Sequence, residues 1–442
     1  MKYSSTRGKA PAVSLGAAIN AGLAPDGGLH VPETLPQLPL QSFDADDSLA
    51  RVAARLLGPF FDGDDLAAQL GPICAEAFAF PAPLKPLADA DDYLLELFHG
   101  PTAAFKDFGA RFLAACMRRM PRASSQRPTT ILVATSGDTG AAVAAAFAGL
   151  ADFHVVILYP DGRVSPRQAH QLGCFGGNVS ALRVAGSFDD CQAMVKRAFA
   201  DNALRALVPL SSANSISLGR LLPQMAYYAN AALLHLRDRD EMLNFVIPTG
   251  NLGNAFACIL ARACGLPIAR IVLATNANRT LHDFFAGAAY TPRPSVATLA
   301  NAMDVGDPSN FERLRWLYPD DTELRRHFTM DAIGDEAIRA TIHSRYAAHG
   351  EIVCPHTATA VRTLEALRQE GVAGAWAAVA TAHAAKFDTI VEPLIGRPVA
   401  VPEALAALLA RPATAEPLAA TYAALRAYLV GNRRNSGDNG LV

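Results

Sequence analysis

From Thr129 onward the chain alternates short apolar, β-branched runs with longer Ala/Leu-rich stretches of helical length. The runs TTILVAT, HVVILYP, VSALRVA, NFVIP and ARIVLAT predict strands, and their alternation with helices predicts parallel α/β sheets. The segment up to about Pro86 differs in texture. Its PDGGLHVPETLPQLPL stretch predicts turns and extended pieces, followed by helical runs near Leu49 and Leu66, so an N-terminal domain is expected. The tail from about Leu405 reads as helical and closes on GNRRNSGDNGLV, which is expected to fray and is assigned no chemistry.

At 442 residues the chain exceeds one ordinary core, so several domains with a cleft between them are expected. The 39 basic and 41 acidic residues leave a formal charge of -2, a balance that argues against nucleic-acid or membrane-surface partners. No apolar run approaches transmembrane length, and Met1–Leu15 lacks the apolar core of a signal peptide. The seven cysteines (74, 116, 174, 191, 258, 264, 354) are scattered, odd in number and without a CxxC pair. That usage predicts neither a disulfide framework nor a metal site, and it fits a reducing cytoplasm.

Two units share one form, apolar strand, small-residue loop, helix: ILVATSGDTGAAVAAAF and FVIPTGNLGNAFACILA. Both loops should lie at the carboxyl ends of strands, where open parallel sheets bind ligands and helix N-terminal amides favour anions. Gly250, Asn251, Leu252, Gly253 and Asn254 suit a phosphate monoester, or else form a plain turn with Asn254 as N-cap. Ser136, Gly137, Asp138, Thr139 and Gly140 offer hydroxyls and amides to a carboxylate, or else a turn in which Asp138 caps the helix. No Walker A, GxSxG or HExxH pattern competes.

Lys106, in ELFHGPTAAFKDFGARF, is flanked by Phe105 and Phe108. Desolvation or a helix N-terminus there would lower its pKa and free the amine for imine formation and proton transfer. On local chemistry alone a solvated surface lysine beside Asp107 and Arg111 is the commoner outcome.

Taken in order, STRG, GLAPDGGLHVP, FHGPTAAFKDFG, ATSGDTGAA, LYPDGRVSPRQ, SANS, PTGNLGN, ATNAN, NAMDVGDPSNFERL, CPHTA and TAHAAKF resemble the threonine synthase family across nearly the whole chain. The resemblance implies a fold type II pyridoxal-phosphate enzyme, related to the tryptophan synthase β fold. It would comprise two parallel-type α/β domains plus an N-terminal domain, with the active site in the interdomain cleft. The expected boundaries are 1–95 for the N-terminal domain, 96–235 for the smaller α/β domain and 236–442 for the larger one.

By the same resemblance Lys106 carries pyridoxal 5'-phosphate, Gly250 through Asn254 hold its phosphate, and Thr381 meets the pyridine nitrogen. Ser136 through Gly140 correspond to the loop that receives the substrate carboxylate. The substrate's own phosphate dianion needs cationic and polar partners in a closed cleft, for which Arg163, Ser165, Asn214 and Arg220 are the candidates. His99, His356 and His383 lie inside the motifs, and structural hydrogen bonding accounts for each as well as acid–base work does. The chain departs from the family pattern at Leu252, Ser217, Arg279 and Ala384; Ser217 and Arg279 bear on substrate range. The implied reaction turns O-phospho-L-homoserine and water into L-threonine and phosphate by γ-elimination and β-addition, in a monomer or homodimer. A phospholyase releasing a 2-oxo acid and ammonia, a non-catalytic cofactor-binding paralogue and a nucleotide-binding α/β protein are the alternatives.

Overall fold

The apolar runs become two separate sheets in a computed structural model that describes residues 1–88, 92–121 and 127–437. One sheet has five parallel strands in the order Glu416–Leu418, Val179–Val184, Phe153–Pro160, Thr129–Ala134, Leu210–Ser211. The other has six, in the order Thr329–Ala332, Ile268–Thr275, Leu243–Pro248, Trp376–Ala380, Asp92–Glu96, Leu84–Pro86, and only its last pair is antiparallel. Helices cover both faces, which is why these strands are continuously apolar instead of alternating. Ile131 and Val133 face one hydrophobic cluster and Leu132 the other, and all three are fully buried.

In the N-terminal segment a two-stranded antiparallel ribbon pairs Tyr3–Ser5 with His30–Pro32. Tyr3 is buried in the main core and its hydroxyl donates to the Phe60 carbonyl at 2.6 Å. Helices Leu49–Leu57 and Leu70–Ala77 follow, near the two positions expected. Among the described residues no helix is long and apolar enough to cross a membrane, and all seven cysteines are free and buried.

The sheets and the expected contiguous segments are different partitions of the chain. Leu84–Pro86 and Asp92–Glu96 leave the N-terminal segment to join the six-stranded sheet, and Glu416–Leu418 returns from the C-terminal end to the five-stranded one. Such strands of three to five residues carry too little periodicity to stand out, and Pro86 and Pro417 are tolerated because both strands lie at sheet edges. The tail expected to fray from Gly431 continues as helix Tyr422–Gly437, while 438–442 lie outside the described residues. Tyr422 donates to Asp201 at 2.5 Å and Arg426 reaches the same carboxylate at 3.3 Å, tying this helix to the smaller sheet's unit.

Function follows from strand order. Leu243–Pro248, Trp376–Ala380 and Asp92–Glu96 are adjacent and parallel, so the segments leaving their carboxyl ends emerge along one edge. Those segments carry Gly250–Asn254, Thr381 and Lys106. In the other sheet Phe153–Pro160, Thr129–Ala134 and Leu210–Ser211 deliver the 163–165, 136–140 and 214–220 segments in the same way. Leu425 is fully buried in the cluster that also holds Leu182 and Val184, where the C-terminal helix packs against helix Phe188–Ala200. We therefore expect Leu425→Ala to cost about 2–5 kcal/mol, read as a lower urea midpoint with an unchanged slope.

Candidate active site

Lys106 is the first residue of helix Lys106–Arg119, reached through a tight loop after strand Asp92–Glu96. The loop is stitched to the 381–383 turn: Phe105 N–H donates to the Thr381 carbonyl at 2.8 Å, His383 N–H to the Ala103 carbonyl at 3.0 Å, and Ala104 bridges Ala382. Ala103 adopts a left-handed φ of 54° to make the turn. Gly100 is required, since a Cβ there would lie 2.5 Å from Asp107 Oδ2 and 2.7 Å from the Phe80 ring. Asp107 is buried and accepts from the Thr102 amide and hydroxyl at 2.8 and 2.7 Å.

The Lys106 side chain is half-buried, not a solvated surface group. Burial pushes its ammonium down to about 8; Asp138 opposes the fall, while Arg220 and Lys386 add to it. At pH 7 roughly a tenth of such an amine is neutral, against a few in ten thousand for an ordinary lysine. Local sequence had favoured the opposite environment.

Beside it, Gly250–Asn254 closes strand Leu243–Pro248 and opens helix Gly253–Ala263. Leu252, where the family commonly has Phe, sits at the N-cap with a left-handed φ of 61°, which turns its amide and those after it to the helix mouth. A Cβ on Gly250 would meet the Met303 backbone at 2.7 Å. Asn254 does not cap the helix. Its Oδ1 accepts from Tyr227 at 2.5 Å and Tyr228 at 2.9 Å, which leaves Nδ2 buried without a partner. Asn251 instead binds the neighbouring segments, donating to Ser215 Oγ at 2.8 Å and accepting from the Ser309 amide at 2.5 Å.

Asp138 does not cap its helix either. Its Oδ1 receives Lys386 Nζ at 2.9 Å and Gln168 Nε2 at 2.9 Å. Burial works to raise this carboxyl, but Lys386, then Lys106 and His356, and the Gln168 bond outweigh it and hold it well below the usual carboxylate range. The Gly137 and Gly140 amides are already held by Thr135 Oγ1, at 3.0 and 2.9 Å. What remains for a ligand carboxylate is the Ser136 and Thr139 hydroxyls, both partly exposed, and the amides at the helix start.

Of the four candidates for the substrate phosphate, the structure separates two from two. Arg220 is 1% exposed, donates to the Ala213 carbonyl at 2.6 Å and keeps Nε buried and unpartnered; burial pushes it down to about 10, so it stays charged at neutral pH. Asn214 is partly exposed in the loop that precedes helix Leu218–Leu221. Ser165, by contrast, caps helix Pro166–Gly173 and donates to the Lys386 carbonyl at 2.8 Å, and Arg163 is exposed. Ser217, a departure from the family pattern, has a buried hydroxyl with no partner on the same helix as Arg220. Arg279, another departure, is paired with Asp283 at 3.2 Å on the exposed face.

His356 is buried and accepts the Ala302 amide at Nε2, 3.1 Å; burial pushes it down to about 4, so it is neutral. His99 pairs with Glu96 at 2.9 Å and His383 caps the turn after Thr381. Sequence reasoning missed Lys386, Gln168 and the Tyr227–Tyr228 pair. Lys386 had one visible signal: it is one of few lysines in an arginine-rich chain and lies inside TAHAAKF.

A phosphorylated pyridine aldehyde fits these residues. The glycine-backed cradle with an orphaned Asn254 donor suits its phosphate, Thr381 closes the central strand, and burial brings the amine of Lys106 down to about 8. Residues 82–384 match the model of the pyridoxal-phosphate dependent enzyme family, and residues 2–78 match that of the threonine synthase N terminus. A threonine synthase of Serratia marcescens is 40% identical over 421 residues, covering 95% of this chain and 96% of that protein. The crystal structure of threonine synthase from Escherichia coli superposes with a TM-score of 0.90 at 38% identity, covering 98% of this chain and all of the other. The structure of PLP-bound threonine synthase from Brucella melitensis gives 0.86 at 34% identity, covering 98% of this chain. The Met303 contact makes a direct test: Gly250→Ala is expected to keep the helical circular dichroism spectrum but lose most of the rise in thermal midpoint that pyridoxal phosphate gives the parent.

Proposed function

Because the chain belongs to the threonine synthase family of pyridoxal-phosphate dependent enzymes, we propose that it converts O-phospho-L-homoserine and water into L-threonine and phosphate, with Lys106 as the residue that binds the cofactor and moves the protons. The observation that carries this reading is the convergence of Lys106, the 250–254 loop and the 136–140 loop at the carboxyl ends of parallel strands, with burial lowering the lysine amine to about 8. When bound, pyridoxal phosphate supplies an electron sink for carbanions formed next to the amino-bearing carbon.

The protein's own groups divide the remaining work. Gly250 through Asn254 hold the cofactor phosphate at a helix N-terminus. The Thr381 hydroxyl meets the pyridine nitrogen and, unlike a carboxylate, leaves it mostly unprotonated. Ser136 through Gly140 hold the substrate carboxylate. Arg220, with Asn214, takes the substrate's phosphate; its unpartnered Nε is a charge-assisted donor that a dianion would satisfy. Arg163 and Ser165 are left out, one exposed and the other committed to a cap.

Once released, Lys106 Nζ takes the Cα proton and then one from Cβ, which lets phosphate leave from Cγ. A proton then returns to Cγ to complete the methyl group, water adds its hydroxyl at Cβ, and Lys106 returns a proton to Cα. A base so placed contributes roughly 100- to 10,000-fold per transfer. The free, buried cysteines suit a cytoplasmic enzyme, acting as a monomer or homodimer.

Purified protein should be yellow and release phosphate and threonine in equal amounts from phosphohomoserine. Ammonia and a 2-oxo acid in place of threonine would identify a phospholyase. Lys106→Ala is expected to lose turnover and the visible band together, and a variant that kept the band would overturn the assignment. Arg220→Met should raise KM for phosphohomoserine at least tenfold, since a buried phosphate contact is lost, with the visible band intact.

A further inference from the structure

We propose that Lys386 is a positioning residue that takes up the Asp138 carboxylate and so withholds it from Lys106, leaving the reactive amine without a counter-ion. This rests on Lys106 being the cofactor lysine. Lys386 is completely buried in the turn Ala384–Phe387, with Nζ 2.9 Å from Asp138 Oδ1 and 2.7 Å from the Thr102 carbonyl. Thr102 belongs to the loop that carries Lys106, so one ammonium is bonded both to the lysine's loop and to the carboxylate that neighbours it. The turn itself is clamped. Ser165 Oγ donates to the Lys386 carbonyl at 2.8 Å, and Arg167 donates to the Ala385 carbonyl at 2.6 Å while pairing with Asp388 at 3.1 Å.

The need for such a device follows from the charges around Lys106. Arg220 and Lys386 oppose its protonation, and Asp138 favours it. Asp107, the adjacent carboxyl, is spent on Thr102 and faces Arg220. His356, from helix Pro355–Gln369, is neutral, as is His383, which burial holds at about 4 despite Glu96. Glu96 is itself engaged by His99 and Lys85. Asp138 is therefore the carboxylate able to capture the Lys106 ammonium, and a buried pair of that kind holds the proton on the amine. With Lys386 and Gln168 both on Oδ1, no carboxylate among the described residues lies within ion-pair reach of Lys106. A lysine serving only the fold would make the same contacts but would not set the protonation of its neighbour.

The test uses the holoenzyme and follows the visible band of the lysine-bound cofactor against pH. The protonated link is the form that a nearby bare carboxylate stabilises. Lys386→Met should move the midpoint up by about 1–3 pH units, Asp138→Asn should move it down, and the Lys386→Met/Asp138→Asn double variant should return it to near the parent. Lys386→Arg should leave it in place. If the parent band does not titrate in the accessible range, the acid limb of kcat, which reports the released Lys106 amine, is expected to move in the same directions. A folded Lys386→Met with the parent's midpoint, or single variants that shift the same way, would sink the proposal. Should Lys386→Met fail to fold, an Asp138→Asn midpoint that does not fall decides against it equally. Borohydride reduction with peptide mapping locates the cofactor in every variant, so an error in assigning Lys106 shows up separately.

Discussion

The burial that sharpens anion binding also lowers the Lys106 ammonium, and the whole cleft turns on that coincidence. A substrate with a carboxylate and a phosphate, and a cofactor with a second phosphate, need desolvated cations and aimed amides. Burial pushes the Lys106 ammonium down to about 8 against the pull of Asp138, and Arg220 and Lys386 add to the fall. Arg220 is at once a candidate phosphate partner and a cause of the low lysine value. Binding and proton transfer therefore share one desolvated site. The coupling works only in a site shut off from bulk water, where charges a few ångströms apart still feel one another strongly.

Topology brings the parts together. Three adjacent parallel strands of the larger sheet deliver the 250–254 loop, Thr381 and the Lys106 loop to one edge, and three of the smaller sheet deliver the 136–140 loop and the 214–220 segment. Helix Lys106–Arg119 then links the two sheets, since it leaves strand Asp92–Glu96 of one and leads to Thr129–Ala134 of the other. The ties across the cleft are polar: Lys386 to Asp138, Asn301 to Gln168 at 3.1 Å, Arg167 to Asp388. Behind them one apolar cluster runs between the sheets, holding Ile131 and Val133 of one with Phe245 and Ile247 of the other, so the polar ties serve to register the loops of the two sheets on one ligand.

Much of this was legible before any coordinates. Strands with several consecutive β-branched or apolar residues, such as TTILVAT and NFVIP, announced both anion loops, because a buried parallel strand can only end in a turn that meets its helix. The hidden parts have a common cause, which is that they depend on long-range partners. Glu416–Leu418 is a strand only because Val179–Val184 offers it an edge. Asp138 looks like a cap until Lys386, 248 positions away in sequence, claims its carboxylate. Lys106 looks exposed until the 381–383 turn closes over its loop. The ordered series of motifs corrected the local reading of Lys106, since each motif names a partner that the window around the lysine does not contain.

The same dependence on distant partners explains why an N-terminal module accompanies two catalytic sheets. Arg313 is fully buried, yet it has no carboxylate to itself. Its guanidinium donates to the His30 carbonyl at 2.9 and 3.2 Å, to the Ile216 carbonyl at 2.7 Å and to Asn310 Oδ1 at 2.8 Å. Asn310 in turn donates to the Asn251 carbonyl at 3.0 Å. One rigid fork thus fixes the ribbon strand His30–Pro32, the 214–220 segment and the cofactor loop relative to one another, a geometry that a lysine's single point of charge does not reproduce. Burying an arginine against carbonyls is costly. The cost falls next to the glycine loop proposed to take a phosphate dianion, which a nearby cation would favour, so the N-terminal ribbon is part of that loop's support and not an appendage to it.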